Sequence, residues 1–532
     1  MKKQYILDCT LRDGGYINEW NFGEKEIGSI IEKLDKASVD FVECGFLTNS
    51  KYDANYSLFE KPDQIKKFLK QNMNAIPVAM IALGEKEISY DDLPVCDGES
   101  IKGIRLTFHK NDIEKAKQYS YDIMKKGYLL FVQPVGIISY TDKELLDLLE
   151  IVNEMNPFAF YIVDTLGTMH ENELMQYFYL IDKNLNKEIK VGFHSHNNLQ
   201  LSFSNAQALL RVYSLRDVII DASVLGMGRG AGNLCTELIT QYINESNGYR
   251  YDVFPLLEIV DKYLEKIKRD KPWGYSIPYF IAAINQCHPN YATFFMNKQT
   301  ININDIEKII LCIKKEKRAI FDREYVSRLY DEYQENDVDD GQIISELTEI
   351  LQNKNLLLLA PGKSLITQED KIRQYIQEKS PFVISINVCS EIYKEDALFI
   401  SNKKRFKKLD ELQHGLLIAT SNIRDAVKQT RYIVNYSSYT NADKDISDDS
   451  GTMLLNLLAR CGVNEVTLAG FDGYKIAGLD NYFSSDACLQ CDKEIYEVKN
   501  KKVGEYIRKM REKMVISFLT KTNYEEGNDE KV

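Results

Sequence analysis

The sequence predicts an α/β fold in which a (β/α)8 TIM barrel with a helical extension is followed by a smaller Rossmann-like α/β domain. Three observations support this prediction. In the first 225 residues or so, eight short β-rich runs alternate with amphipathic helical stretches. Residues 250–345 have a mostly helical pattern, and a new α/β alternation begins at Leu356. Strands that alternate with helices pair in parallel through right-handed crossovers.

The number of strands favours a closed barrel over an open sheet. Eight strands of similar length in about 225 residues match the count, and nearly the size, of a TIM barrel. An open, doubly wound sheet is the alternative, and the similar strand lengths disfavour it. The predicted strands are 5–9, 40–44, 76–82, 103–108, 128–133, 160–164, 189–194 and 217–223.

The length of 532 residues suits two or three domains. We predict a barrel over 1–245, a helical extension over 246–345 and an α/β domain over 350–532. The acidic stretch 330–342 is almost free of aliphatic residues, which predicts a linker or an exposed turn. From about residue 495 the chain reads as a charged helix with a frayed acidic tail.

Composition narrows the class of protein. A net charge of −12 argues against a general nucleic-acid binder. The chain has no apolar run of the roughly 18 to 20 residues that span a membrane, and no secretory leader is recognisable. Its ten scattered cysteines suit a reducing cytosol, so we expect a cytoplasmic protein. The pair Cys488 and Cys491 lacks a second pair at zinc spacing, which makes it a weak metal or redox candidate.

Two histidines separated by one residue end the seventh predicted strand. Side chains at positions i and i+2 of a strand point to the same face, so His194 and His196 could both face the barrel lumen. The carboxyl ends of barrel strands are where such folds keep their active sites. The pair is a candidate for metal ligation, and a pair of hydrogen-bonded structural histidines is the alternative.

A carboxylate stands at the corresponding end of the first strand. Asp13 could face the histidines across the barrel mouth, which gives a His-His-carboxylate set with open positions for water and a bidentate substrate. Arg12 would offer a planar donor fork to a carboxylate or enolate oxygen. A surface Arg-Asp turn before two glycines is the alternative.

A glycine-rich loop, Gly226-Met227-Gly228-Arg229-Gly230-Ala231-Gly232-Asn233, directly follows the eighth strand. Glycines permit a tight turn and a close approach of backbone to a ligand. The loop is a weak dinucleotide signature, because no βαβ unit follows it. An ordinary flexible loop remains an equal interpretation.

The four segments together resemble one known family. The order LRDGGY, VECGF, HSHNN and GMGRGAGN is similar to that of the DRE-TIM metallolyases, which include HMG-CoA lyase, isopropylmalate synthase and 4-hydroxy-2-oxovalerate aldolase. The resemblance covers roughly residues 1–240. The helical segment after it is also similar to the helical region of the hydroxyoxovalerate aldolases.

The resemblance implies a role for individual residues. Asp13, His194 and His196 would hold a divalent metal ion, Mn²⁺ or Mg²⁺, with Asn233 as a further or indirect ligand. Arg12 would stabilise the enolate of a pyruvate-type 2-oxo acid. The other implied site residues are Glu43, which would hold Arg12 or substrate, His109 after strand four, and the pocket-lining Gln133, Asp164 and Thr165.

The chain departs from the aldolases at the general base. Their catalytic histidine lies just after the Asp-Gly pair, where this sequence has Tyr16. A phenol with an ordinary pKa near 10 is a poorer base at neutral pH. His109, Tyr275 or Tyr279 could replace it, and the sequence selects none of them. The substrates expected are a 2-oxo acid and an aldehyde, handled by a carbon–carbon lyase.

The second half of the chain carries weaker signals. Its α/β pattern loosely resembles the Rossmann-like domains of certain bacterial surface-sugar transferases and pterin pyrophosphokinase-like proteins. That resemblance implies a nucleotide or nucleotide-sugar site, and a purely structural role is the alternative. The turn 361–364 is not a Walker A loop but could cradle an anion, and 403–405 reads as a solvated basic patch.

Two other functional interpretations stay open for the barrel. A Claisen-type condensation with an acyl-CoA uses the same fold, although no feature here demands coenzyme A. A barrel that has lost activity and serves as a binding module is the second; the intact ligand set argues against it, and Tyr16 argues mildly for it. We also expect a homo-oligomer.

Overall fold

The computed structural model of this chain describes residues 2–85, 87–390, 392–409, 415–474, 481–483 and 493–525. It divides into two compact units. One unit comprises Met1–Thr293 with Lys314–Phe321, and the other Phe294–Ile313 with Asp322–Val532. The predicted helical extension is thus shared between the units, and the three-part division stays a prediction. The Cys488–Cys491 pair lies outside the described residues.

The first unit contains a closed parallel barrel. Its strand order is β1-β9-β8-β7-β6-β5-β4-β2, and pairing of β1 with β2 closes it. The eight predicted strands are therefore confirmed, and a short ninth strand, β3, extends the sheet beside β2. The strands are β1 (Gln4–Asp8), β2 (Phe41–Leu47), β3 (Leu58–Phe59), β4 (Ile76–Ala82), β5 (Gly103–Phe108), β6 (Leu129–Pro134), β7 (Ala159–Asp164), β8 (Lys190–Ser195) and β9 (Val218–Ala222).

Helices surround the barrel, and local sequence explains how they form. α2 buries Ile27, Ile30, Ile31 and Leu34, which recur at helical spacing. Thr141 and Glu144 form a capping box that starts α5. These helices are α1 (Gly15–Asn18), α2 (Glu24–Lys36), α3 (Asp63–Lys66), α4 (Ile113–Lys125), α5 (Asp142–Met155), α6 (Glu171–Asn184), α7 (Ser202–Arg211) and α8 (Thr236–Asn247).

Successive side chains of each strand point to opposite faces of the barrel wall, which gives the barrel two separate apolar layers. Ile6 packs in the cluster between the strands and the outer helices, whereas its neighbour Leu7 packs inside the lumen with Phe131 and Tyr161. The lumen is thus filled by side chains, and the site forms above this packed floor.

The region after the barrel is helical, as predicted. The acidic stretch 330–342 differs from the expected linker: α15 runs through its first residues, and Tyr330 and Asp340 are buried. Both make hydrogen bonds within the second unit, which a solvated linker would not. The helices are α9 (Phe254–Ile259), α10 (Glu265–Asp270), α11 (Ile277–Ile284), α12 (Pro289–Lys298), α13 (Ile303–Cys312), α14 (Lys315–Arg318), α15 (Arg323–Gln334) and α16 (Gly341–Leu351).

The second unit is built on a parallel sheet of order β14-β13-β12-β11-β10-β15-β16. This order reverses direction between β10 and β15. Its strands are β10 (Leu356–Leu359), β11 (Phe382–Ile386), β12 (Ala397–Ile400), β13 (Leu416–Thr420), β14 (Tyr432–Val434), β15 (Glu465–Ala469) and β16 (Val515–Phe518). Its helices are α17 (Ser364–Thr367), α18 (Glu369–Lys379), α19 (Lys403–Phe406), α20 (Tyr436–Tyr439), α21 (Ser450–Arg460) and α22 (Lys493–Met510).

The predicted C-terminal charged helix is confirmed, whereas most of the acidic tail predicted after it lies outside the described residues. The charged helix is α22, but the chain then forms β16, which pairs with β15 and buries Ile516. Among the described residues, no helix is both long and apolar enough to cross a membrane.

Candidate functional site

Asp13, His194 and His196 meet at the carboxyl ends of the barrel strands. One ligand-type atom from each side chain lies within 4.8 Å of the other two, and all three residues are buried. It is the one such cluster of acidic, histidine or cysteine side chains in the part of the chain described. The two imidazole rings lie 5.3 Å apart at 89°, so the i, i+2 spacing does bring both to one face.

A tight turn after β1 positions Asp13. The backbone N–H groups of Arg12 and Asp13 both donate to the carbonyl of Cys9, at 3.1 and 2.8 Å. A Cβ atom on Gly14 would stand 2.3 Å from the Thr10 carbonyl oxygen, and one on Gly15 would overlap the Trp20 ring. The two glycines are therefore required by close packing, which sets the turn that carries Asp13.

A chain of buried charges runs beneath the cluster. Arg12 contacts Asp13 and donates through Nε to Glu43 at 2.8 Å. Glu43 also accepts from Arg105 Nη1 at 2.6 Å, and Arg105 in turn contacts Asp221. All of these side chains are buried, so their charges are compensated by one another rather than by water.

Asp221, at the far end of this series of buried ion pairs, orients His194. Asp221 Oδ2 lies 3.0 Å from His194 Nδ1, which leaves Nε2 as the nitrogen available to a metal ion. A carboxylate that accepts from a ligating histidine fixes its tautomer and orientation. The arrangement links Arg12 to His194 through alternating positive and negative groups.

Asn233 joins the cluster from the glycine-rich loop. Its Nδ2 donates to Asp13 Oδ2 at 2.5 Å and to the Met227 carbonyl at 3.2 Å. Its Oδ1 is buried and has no hydrogen-bond partner among the described residues, and the same is true of His196 Nδ1. Two buried polar atoms without a protein partner at one site fit side chains that would bind a metal ion or a water.

The protonation states suit cation binding. Burial alone raises the pKa of Asp13, but Arg12, the two histidines and Asn233 outweigh it and lower that pKa well below the ordinary range. Burial is the main cause that lowers the pKa of His196 to about 3. At neutral pH the cluster therefore offers an anionic carboxylate and an uncharged imidazole.

The three predicted pocket residues each have a described partner. Gln133 is buried at the end of β6 and, with its amide oxygen facing Arg105, accepts from Nε at 2.6 Å. Asp164 accepts from the backbone N–H groups of Thr168 and Met169, both at 3.0 Å, and burial raises its pKa to about 6. Thr165 Oγ1 accepts from Gly136 N at 2.9 Å. Asp164 and Thr165 thus stabilise strand-end loops.

The candidate bases lie at different depths. Tyr16 stands at the mouth of the barrel, 36% exposed, with the Arg229 guanidinium 5.2 Å from its ring centre. The enclosed position of its hydroxyl raises the pKa of Tyr16, and Arg229 and Arg12 only partly oppose this. His109 is half-buried just after β5. Tyr275 is 56% exposed on the segment before α11.

Sequence reasoning missed Arg105 and Asp221. Both lie within otherwise apolar strands, Arg105 in GIRLTF and Asp221 in VIIDA. A charged residue inside a buried strand must be paired or functional, because an isolated buried charge is costly. That composition was the signal that could have identified them.

We expect Asp221→Asn to weaken metal binding. The substitution removes the negative charge that orients His194, and such changes cost about 10- to 100-fold in metal affinity. Calorimetric titration of metal-stripped protein with Mn²⁺ measures the effect. Asp217→Asn, half-buried just before the other end of β9, is the matched control. Equal affinity in both variants would show that Asp221 does not support the site.

A separate cavity of about 130 Å³ lies in the second unit, at the carboxyl ends of β10, β11 and β12 and beside the start of α21. Asn387 Nδ2 donates to Ser450 Oγ at 2.6 Å, and Asn387 Oδ1 accepts from the backbone of Ser401 and Asn402 at 3.1 and 3.2 Å. Arg405 lines the cavity, and its guanidinium lies 5.8 Å from the Tyr482 ring centre.

Two predictions about this region are wrong. Arg405 is only 5% exposed and Lys403 pairs with Asp305 at 2.9 Å, so 403–405 is not a solvated patch. In the turn 361–364, Asp472 already accepts from the backbone and hydroxyl of Ser364, with the backbone bond at 2.7 Å. The carboxylate of Asp472 thus occupies the place at this turn where an external anion was expected.

Comparison with known proteins identifies relatives of the barrel. Residues 109–254 match the model of the HMGL-like family. The chain is 27% identical to the 4-hydroxy-2-oxovalerate aldolase of Geobacillus genomosp. 3 over 248 residues, 45% of this chain and 70% of that protein. It is 24% identical to the enzyme of the same name from Pseudoalteromonas translucida over 266 residues, 49% of this chain and 75% of that protein. A solved HMG-CoA lyase from Bacillus subtilis overlaps 50% of this chain and 94% of its own, with 15% identity and a TM-score of 0.41.

Proposed function

Because the barrel of this chain belongs to the HMGL-like family, we propose that it is a carbon–carbon lyase: a divalent-metal-dependent aldolase that makes or breaks a C–C bond of a 2-oxo acid through a pyruvate-type enolate. The observation that carries the proposal is the buried Asp13, His194 and His196 cluster at the carboxyl ends of the barrel strands. Its substrates would be a 2-oxo acid and an aldehyde, as in the 4-hydroxy-2-oxovalerate aldolases to which the chain is similar.

The side chains present fit a divalent cation. Asp13, His194 and His196 would be its ligands, and Asn233 would contribute through its unpartnered Oδ1 or through Asp13. We propose Mn²⁺ or Mg²⁺ rather than Zn²⁺, because the resemblance to the metallolyases implies it and the site has no thiolate ligand. When bound, the cation would act as a Lewis acid on the keto and carboxylate oxygens of the 2-oxo acid.

Arg12 is proposed to stabilise the enolate oxygen. Its Nε and Nη1 are held by Glu43 and Asp13, while its Nη2 is buried without a hydrogen-bond partner among the described residues. A fixed guanidinium with a spare N–H can donate where negative charge develops, without reorganising first. Glu43 then acts as the positioning residue that holds this donor.

The proton on the 4-hydroxyl group must be taken up during cleavage. His109 and Tyr275 are the proposed candidates for this step. The raised pKa of Tyr16 keeps its phenol protonated at neutral pH, so its proposed role is to donate a hydrogen bond to the aldehyde oxygen rather than to take up the proton. His109 carries an imidazole, the side chain that most often serves as a general base in enzymes. Gln133, Asp164 and Thr165 are proposed to shape the pocket rather than to react.

Exchange of the methyl protons of pyruvate in D2O tests the proposal. Enolate formation requires removal of a methyl proton, so proton NMR of pyruvate with metal-stripped protein should show exchange only after Mn²⁺ or Mg²⁺ is added. Exchange that needs an acyl-CoA would favour the Claisen-type synthase. No exchange with metal shown to be bound would favour a barrel that has lost its chemistry.

For the second unit we propose a nucleotide or nucleotide-sugar site at the 130 Å³ cavity. In doubly wound sheets, ligands bind outside the carboxyl ends of the strands where the order reverses, here between β10 and β15. The buried Arg405 favours a phosphate, and Tyr482 offers a ring for a base. A homo-oligomer and a cytoplasmic location also stay predictions.

Calorimetric titration with a panel of nucleoside mono- and diphosphates checks the second site. We expect saturable binding of at least one nucleotide, to which a charge-assisted phosphate contact would contribute about 1.5–3 kcal/mol. Arg405→Gln should weaken binding by about tenfold or more. Lys408→Gln, exposed on the same segment, is the control. Failure of the folded protein to bind any nucleotide would contradict the proposal.

A further inference from the structure

Arg229, on the glycine-rich loop, carries a half-buried guanidinium. Among the described residues no salt bridge joins it to a carboxylate, and its Nε is buried with no hydrogen-bond partner. Arg12 and Arg105, by contrast, each contact two carboxylates. Withdrawing an uncompensated charge from water costs free energy. An anion that binds there would offset this cost.

The loop that carries Arg229 is held firmly above the metal cluster. Asn198 Oδ1 accepts from Ala231 N at 2.9 Å, and a Cβ atom on Gly230 would stand 2.7 Å from that same oxygen. Gly230 has a φ of +69°, which an L side chain rarely adopts, so the turn requires glycine. Arg229 therefore projects from a rigid turn rather than from a flexible loop.

The Arg229 guanidinium lies at the mouth of the barrel, above the packed side chains of the lumen. The guanidinium lies over Tyr16, which is 36% exposed, whereas Arg12 is 4% exposed. Arg12 is the cation placed to meet the enolate of the 2-oxo acid. Arg229 is a second cation farther out, where the partner of that enolate would enter.

His288 adds an uncharged donor to the same region. Its Nδ1 accepts from Asn290 N at 3.2 Å, so the neutral ring carries its proton on Nε2. Burial, followed by the positive charge of Arg229, lowers the pKa of His288 to about 3. Tyr16, Arg229 and His288 thus give this region three hydrogen-bond donors, and the charges of Asp13 and Glu85 also act on the Tyr16 hydroxyl.

We infer that Arg229, assisted by Tyr16 and His288, binds a negatively charged group on the acceptor aldehyde. The inference rests on the proposed aldolase function and specifies its second substrate: an aldehyde that carries a carboxylate or a phosphate. In the condensation, the methylene carbon of the enolate bonds to the aldehyde carbon, and the former carbonyl oxygen takes up one proton. With a carboxylate-bearing aldehyde the product is a 4-hydroxy-2-oxo dicarboxylate. The step needs no oxidant or reductant.

A comparison of the condensation rates with different acceptor aldehydes tests the inference. Initial rates of condensation are measured with pyruvate, Mn²⁺ and one of three acceptors: glyoxylate, glycolaldehyde phosphate or acetaldehyde. We expect the full-length enzyme to prefer at least one anionic acceptor over acetaldehyde by tenfold or more in kcat/KM. A charge-assisted hydrogen bond is worth about 1.5–3 kcal/mol, or about 10- to 100-fold. The two anionic acceptors distinguish a carboxylate from a phosphate site.

Arg229→Gln should reduce that preference by at least tenfold, mainly through the KM of the anionic acceptor. Arg229→Lys keeps the charge and should retain part of the preference. Arg211→Gln, on an exposed arginine of α7, is the control and should retain all of it. A preference for acetaldehyde, or an unchanged ratio in Arg229→Gln, would overturn the inference. If pyruvate exchange persists in that case, the proposed aldolase function stands; if the unaltered enzyme shows no exchange, both fall.

Discussion

The double substitution His194→Ala, His196→Ala is expected to abolish metal binding and, with it, metal-dependent exchange of pyruvate protons. Only Asp13 of the three clustered ligands would remain, together with the amide of Asn233. Lewis-acid stabilisation of an enolate is worth several kcal/mol, so exchange should fall on the order of a thousandfold or more. Elemental analysis of the dialysed protein and proton NMR in D2O measure the two effects separately.

The control for this prediction is His170→Ala. His170 is exposed just before α6, and its substitution removes an imidazole from the same barrel without touching the cluster. It should bind metal and support exchange like the unaltered protein. Exchange that survives the double substitution would show that enolate formation, if it occurs, uses another site. Loss of exchange with metal still bound would assign the metal to other ligands.

Among the variants proposed for this protein, Arg105→Leu is expected to lower the free energy of unfolding the most. Arg105 is fully buried and contacts Glu43 and Asp221, so its removal leaves Asp221 buried without its guanidinium partner and Glu43 with Arg12 as its remaining cation. Breaking a buried ion pair by removing one partner costs about 3–5 kcal/mol. Urea unfolding followed by circular dichroism measures the change, and metal affinity should fall as well because Asp221 orients His194.

Two further variants make this result interpretable. Arg105→Lys keeps the positive charge but loses the planar fork, so an intermediate loss is expected. Lys115→Met removes the exposed cation that pairs with Glu87, and surface pairs of this kind contribute about 0–1 kcal/mol. If Arg105→Leu lost no more stability than Lys115→Met, the buried chain of charges would not stabilise the barrel as described.

Several features of the protein could be predicted from short stretches of sequence. The eight barrel strands follow from apolar runs that alternate with helical periodicity, and their observed bounds differ from the predicted ones by three residues at most. The i, i+2 spacing of His194 and His196 at a strand end was enough to expect both rings on one face. Both signals are local, because backbone geometry repeats every 2.0 or 3.6 residues.

The short strands β3 and β16 were not predicted, because neither shows an isolated pattern. β3 has two residues and pairs with β2, from which residues 48–57 separate it. β16 has four residues and pairs with β15, from which residues 470–514 separate it. The buried tyrosine at the start of the acidic stretch 330–342 was missed for a similar reason. Its burial depends on Thr300 and Asp448, which only the folded second unit brings to it.

The sequence by itself determined the α/β class, the closed eight-stranded barrel, the family and the side chains expected at the candidate metal site. Only the tertiary structure decided which charges pair across the lumen: Arg105 with Glu43 and Asp221, and Asp221 with His194. Those pairings join strands separated by 27 to 116 residues in the chain, so they depend on barrel closure and strand register. Local patterns specify which face a side chain occupies, whereas closure of the sheet decides which side chain it meets there.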